Sequence, residues 1–154
     1  MMRRLHSAGR PDRGFTLIEL VVVMAIIVLL AGAVMVNVSN RRRDAMRARA
    51  VQDLHAIQMG IDFYEADNGY PPTTEQGLDV LIRKPTSPPV PHNWNGPYLK
   101  NRRAVPIDPW GTEYVYVYPG QTNPDGYDLL SYGSDGQPGG NDEFTADITI
   151  FDEE

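Results

Sequence analysis

The sequence predicts an α+β protein in which one long N-terminal helix, membrane-spanning over its first half, packs against a small antiparallel β-sheet. Three observations carry this. An apolar run from Phe15 to Val38 holds a single ionisable residue, Glu19. No proline interrupts the chain from Phe15 to Gly69. Beyond Asp108, short aromatic and β-branched runs alternate with Gly- and Pro-rich turns.

The first element is a leader, residues 1–14. It carries Arg3, Arg4, Arg10 and Arg13 against Asp12, a positive flank that favours a cytoplasmic N-terminus. The apolar run follows over residues 15–38. As a helix it would measure about 36 Å, enough to cross a bilayer with some tilt. It is too long for a secretory signal, and it leaves through Ser39 and Asn40 into arginines, so it reads as a retained anchor. Arg41, Arg42, Arg43, Arg47 and Arg49 flank the far side, and charge alone nearly balances. Orientation therefore rests on the short leader, which leaves the large domain, residues 39–154, beyond the membrane.

The helix should continue past the arginines. Val51, Leu54, Ile57, Ile61 and Tyr64 recur at intervals of three and four, which puts them on one face. Gln52, Asp53, Gln58, Asp62 and Glu65 should face away. Asn68-Gly69 supplies a stop and Tyr70-Pro71-Pro72 forbids continuation. The result is one helix of roughly 50 residues, about 80 Å long.

Thr73 and Gln76 have capping-box spacing ahead of a short helix through Leu78, Leu81 and Ile82. Residues 86–101 should form a loop pinned to the core by Trp94, Tyr98 and Leu99. Asp108-Pro109-Trp110-Gly111 signals a turn. Strands are expected at 112–118, 127–132 and 148–151, with a turn at 119–126.

Composition narrows the function. The 154 residues hold no cysteine, so no disulfide can staple the domain. A metal or burial in an oligomer would have to replace it. Net charge is −6, and the last twenty residues hold seven acids and no base, which argues against nucleic acid as the main ligand. His6, His55 and His92 have no catalytic spacing, and no nucleophile or phosphate-loop motif is present.

Two sites stand out. Glu19 places a carboxylate in an apolar helix, which costs a few kcal/mol unless it is paired or protonated. It is either a functional residue or a carboxylate near the membrane face that stays hydrated. The loop Ser131–Glu143 offers Asp135 and Asp142 seven residues apart, with Gly136, Gly139 and Gly140 to fold it tightly. Calcium takes such oxygen donors and backbone carbonyls readily. The spacing is not that of an EF-hand, and a merely solubilising acidic loop has the same composition.

The string Arg13-Gly14-Phe15-Thr16-Leu17-Ile18-Glu19-Leu20 resembles the N-terminal signature of type IV pilins and pseudopilins. Residues 63–82, 95–101, 106–120 and 131–148 are similar to the major pseudopilins of type II secretion. Type IV pilins usually close a C-terminal disulfide loop, and the lack of cysteine agrees with the pseudopilin branch. The resemblance implies a type IV pilin-like fold. It implies cleavage between Gly14 and Phe15, methylation of the new Phe15 amine, and pairing of Glu19 with that amine in a neighbouring copy.

It also implies a calcium loop at residues 132–143. Asp135 and Asp142 would supply carboxylates, and Tyr132, Gln137 and Gly140 carbonyls. Asn141, Glu143 or Asp147 could stand in for Asp142. The ending ITIFDEE departs from the aromatic-containing close common in the family. The implied function is a structural subunit of a periplasmic fibre that supports export of folded proteins across the outer membrane. The implied partners are other copies, minor pseudopilins, the prepilin peptidase, the inner-membrane secretion platform and membrane lipid, with no nucleic acid. A pilin-like subunit for adhesion, motility or DNA uptake shares the N-terminal features and differs in the C-terminal domain.

Overall fold

The computed structural model describes residues 14–86, 88–142 and 145–150, with backbone only at 33–39. The chain divides into two units, Met1–Asn40 and Arg41–Glu154. The helix α1 runs Leu17–Asn68, as the proline-free stretch predicts.

In the first unit, Thr16 caps α1. The Glu19 N–H reaches the Thr16 carbonyl at 3.1 Å and its Oγ1 at 3.3 Å, which satisfies one of the orphan donors of the first turn. The described side chains of the apolar run are exposed, Phe15 at 81 % and Leu17 at 80 %. Among the described residues no helix is long and apolar enough to cross a membrane. The described side chains of the run stop at Gly32, so the side chains at 33–38 of the predicted span at 15–38, and residues 1–13 of the leader at 1–14, lie outside what is described.

In the second unit, Val51, Leu54, Ile57, Ile61 and Tyr64 are buried, the face that the three-and-four spacing predicts. Burying a side chain of this size is worth roughly 1.5–3 kcal/mol. Asp53 corrects the expectation that the polar remainder faces away. It is 5 % exposed, and Arg102 Nη2 lies 2.6 Å from its Oδ1. A carboxylate can be buried there only because the loop after Leu99 returns an arginine to it. At the C-terminus of α1, Gly69 takes φ 83 and donates its N–H to the Glu65 carbonyl at 2.7 Å.

The capping box forms, with Thr73 N–H on Gln76 Oε1 at 3.1 Å and Gln76 N–H on Thr73 Oγ1 at 3.3 Å. It closes a turn rather than capping an α-helix. The predicted short helix is a single 3-10 turn, Leu78–Leu81, entered through Gly77 at φ 59. Its Leu78, Val80 and Leu81 are buried. The loop beyond is held as expected. Trp94 Nε1 donates to the Val80 carbonyl at 2.8 Å, Tyr98 Oη donates to Asp67 at 2.9 Å, and Leu99 is buried. The Tyr98 ring meets both Tyr64 and Trp94 edge-on.

Three short strands form one antiparallel sheet: β1 Val115–Val117, β2 Asp128–Ser131 and β3 Ile148–Thr149, in the order β1-β2-β3. Each is shorter than predicted, and at β1 the reasons are local. Thr112 is taken by the turn, accepting the Asp108 N–H at 2.8 Å, and Glu113 makes only an isolated bridge to Ile107. Tyr118 leaves the ladder because its N–H and carbonyl both pair with the Thr74 hydroxyl. Phe151, the last residue of the third predicted strand, lies outside the described residues. Tyr114, Tyr116, Leu129 and Ile148 join the helix face in one core.

Candidate functional site

Two regions hold the predicted site residues. At the N-terminus, Gly14 is exposed with open space around it, and Phe15, Thr16 and Glu19 are exposed. Sequence reasoning misses Thr16, although Thr16-x-x-Glu19 has capping-box spacing. Its cap starts the helix at Leu17 and leaves Phe15 just ahead of the first turn. Further along α1, Met59 and Phe63 are more than half exposed on one outward stripe, one turn apart.

The second region begins where β2 ends. Asp108 is buried and accepts three bonds: Trp110 N–H at 3.0 Å and Thr112 N–H at 2.7 Å on Oδ1, and the Ser131 hydroxyl at 2.7 Å on Oδ2. Ser131 Oγ in turn accepts the Gly133 N–H at 3.1 Å. The Asp108 turn thus anchors the entry of the loop that comes after β2. From sequence it reads as a turn, and nothing local reveals that its carboxylate is buried.

The loop itself bends through Gly133, Gly136, Gly139 and Gly140, all at positive φ. Gly140 has a second constraint, since a Cβ there would strike the Thr145 carbonyl. Asp135 Oδ1 accepts the Gln137 N–H at 3.1 Å. Asp142 Oδ1 accepts the Thr145 N–H at 2.9 Å, and the Asp142 carbonyl accepts the Ala146 N–H at 2.9 Å. The loop is latched by Gly139 and Asp147, whose Oδ2 accepts the Gly139 N–H at 3.0 Å while the Asp147 N–H returns to the Gly139 carbonyl at 3.1 Å. Asp135, Gln137, Gly140 and Asp142 are exposed, and Tyr132 is half-buried. Among the described residues no three His, Cys, Asp or Glu side chains converge, and Glu143 lies outside those residues.

The turn before β2 is organised by Asp128. Burial raises its pKa, but N–H bonds from Thr122, Asn123 and Gln121 outweigh this and hold the carboxyl below the usual aspartate range.

The family model for type II secretion system protein G matches residues 37–150, and that for the prokaryotic N-terminal methylation motif matches residues 9–35. The chain belongs to the type II secretion system protein G family. The type II secretion system core protein G of Pseudomonas aeruginosa is 44% identical over 93% of this chain and 97% of its own length. That of Escherichia coli K12 is also 44% identical, over 87% of this chain and 90% of its own. The crystal structure of the major pseudopilin from the type 2 secretion system of enterohaemorrhagic Escherichia coli superposes with a TM-score of 0.57 at 40% identity. It covers 73% of this chain and 91% of that one. The protein is a pseudopilin, a membrane-anchored subunit of the type II secretion pseudopilus, and its fold is pilin-like.

The pseudopilin's loop fits a calcium ion in its donor chemistry. It offers carboxylates and carbonyls, which are hard oxygen ligands, on a backbone that glycine lets turn inward. One further observation points the same way. Asp147 Oδ1 is buried with no hydrogen-bond partner among the described residues, and a cation would satisfy it. Asp147 is one of the three residues, with Asn141 and Glu143, that could stand in for Asp142.

Proposed function

We propose that this pseudopilin is the major building block of the fibre, works mechanically and catalyses no reaction. One observation carries the reading. The described side chains of the apolar run from Phe15 to Leu30 are exposed in the single chain, so lipid or other copies must cover them. The leader stays in the cytoplasm, the domain faces the periplasm, and the prepilin peptidase cuts between Gly14 and Phe15 and methylates Phe15. Copies then leave the inner membrane and bundle through α1, with minor pseudopilins and the secretion platform as partners. The growing fibre pushes or gates folded proteins at the outer-membrane channel. ATP hydrolysis belongs to another component, and nucleic acid is not a ligand.

Glu19 sets register by meeting the Phe15 amine of a neighbouring copy, where a buried carboxylate finds a positive partner. Asp135 and Asp142 hold calcium, together with the carbonyls of Tyr132, Gln137 and Gly140. When bound, the ion supplies the cross-link that a disulfide provides elsewhere. The Asp108–Ser131 pair positions the entry of that loop, and Gly140 lets it pass the Thr145 carbonyl.

Replacing Glu19 by Ala tests the assembly role. Leader removal should stay near normal while fibre yield falls by about tenfold or more, a loss of at least about 1.4 kcal/mol in assembly, measured by shearing and immunoblot. Normal fibres from Glu19→Ala would sink the pairing.

A further inference from the structure

Residues 41–49 hold five arginines and one acid, Asp44. In α1 the stretch Arg41–Ala45 is exposed, and the domain first covers the helix in part at Met46 and fully at Ala50. Successive helical residues are turned by about 100°, so Arg41, Arg42 and Arg43 point to three sides of the helix. They form a collar rather than a patch. One protein neighbour presents one face and can meet only part of a collar. A planar layer crossed by the helix meets all of it.

Depth along the helix decides which basic residues can share this layer. Arg41 to Arg43 follow Val38 by three to five residues, which is about 5–8 Å of helix. The headgroup layer on one side of a bilayer is about 5–8 Å thick. Lys100, Arg102 and Arg103 form another basic cluster of the domain, tied to α1 by the Arg102–Asp53 pair at 2.6 Å. Asp53 lies twelve residues past Arg41, about 18 Å further on, and that exceeds the screening length of about 8 Å at physiological salt.

We propose that Arg41, Arg42 and Arg43 form a binding collar for anionic phospholipid headgroups of the leaflet on the domain side, and that Arg102 and Arg103 do not. This rests on the membrane reading of the preceding apolar run. The collar anchors the subunit before assembly, and extraction into the fibre must break it. One surface arginine contributes about fivefold to association with anionic lipid.

The test is native mass spectrometry of the full chain released from nanodiscs of equal phosphatidylglycerol and phosphatidylcholine. The wild type should retain phosphatidylglycerol in several-fold excess. Arg41→Gln, Arg42→Gln and Arg43→Gln together should bring the ratio near one, and Arg102→Gln with Arg103→Gln should leave it unchanged. Equal retention of both lipids by the wild type overturns the proposal. So does a triple variant that keeps its lipid preference but loses self-association, which would assign the arginines to an acidic face of a second copy. Recovery of the chain outside the bilayer overturns the membrane reading itself, and recovery inside it without an anionic excess overturns only the collar.

Discussion

The two halves of α1 obey different rules. From Leu17 to Leu30 its described large apolar side chains are exposed, and apart from Glu19 the sequence there is apolar on every side. From Ala50 to Tyr64 one apolar face is buried against the sheet and the loops, and of the large apolar side chains outside it only Met59 and Phe63 are exposed. A helix apolar all round needs a surrounding apolar medium, whereas a striped helix needs one packed partner. One region is therefore built for lipid and other copies, and the other completes its fold within the chain.

Leucine truncation in each half tests this most directly. Leu54→Ala, at a fully buried position, should cost about 3 kcal/mol in thermal or urea unfolding. Leu20→Ala should change domain stability by less than about 0.5 kcal/mol and lower fibre yield instead. Equal unfolding losses would mean that the halves are not independent. Calcium comes next. At a free concentration about a hundredfold above its dissociation constant it should stabilise the domain by about 2.7 kcal/mol. Asp135→Ala should remove that gain and leave the melting temperature in chelator unchanged. An equal loss in chelator would give Asp135 another role.

Asp53→Ala should cost about 2 kcal/mol, less than a fully buried pair would, because the Arg102 side chain is 39% exposed and can rehydrate. A larger loss in Arg102→Gln than in Asp53→Ala would agree, since it strands a carboxylate whose side chain is 7% exposed and leaves it only Arg49, 3.8 Å away.

The effect of pH is the mildest probe. Burial first, then neighbouring Tyr70, pushes Tyr64 up to about 12. Burial likewise raises Tyr114, Tyr116 and Tyr127. A raised phenol binds its proton more tightly when folded, so this stabilisation is intact below the ordinary value of 10.0 and is lost as pH rises through the folded values. Asp128 has the opposite sign. Its lowered carboxyl stabilises above the ordinary value of 3.8, and that contribution fades as pH falls through the folded value. Urea midpoints across pH should show both limbs, and Asp128→Asn should flatten only the acid one.

Much of the fold is legible locally. The proline-free stretch, the three-and-four spacing and Asn68-Gly69 mark α1 almost to its ends. Asp53 escapes such reading because helical spacing sees one element only. Its burial depends on Arg102, 49 residues away. The short helix is predicted too long for a related reason, since the Thr73–Gln76 box is a local pair equally able to close a turn. At the loop, Asp135 and Asp142 are singled out by the family resemblance, while their spacing and the glycine content fit a solubilising loop equally. The Asp147 latch, Thr145 and the Asp108–Ser131 anchor are not legible, because each acts through a contact made only when the loop closes.

By itself the sequence determined the apolar run, the N-terminal methylation motif, the length of the helix and the acidic, glycine-rich loop. These depend on residue types and spacings within one segment. Only tertiary structure decided which carboxylates are buried, how far the strands extend, and which side chains latch the loop. Those outcomes are settled by partners that lie far apart along the chain and become neighbours only when the core closes.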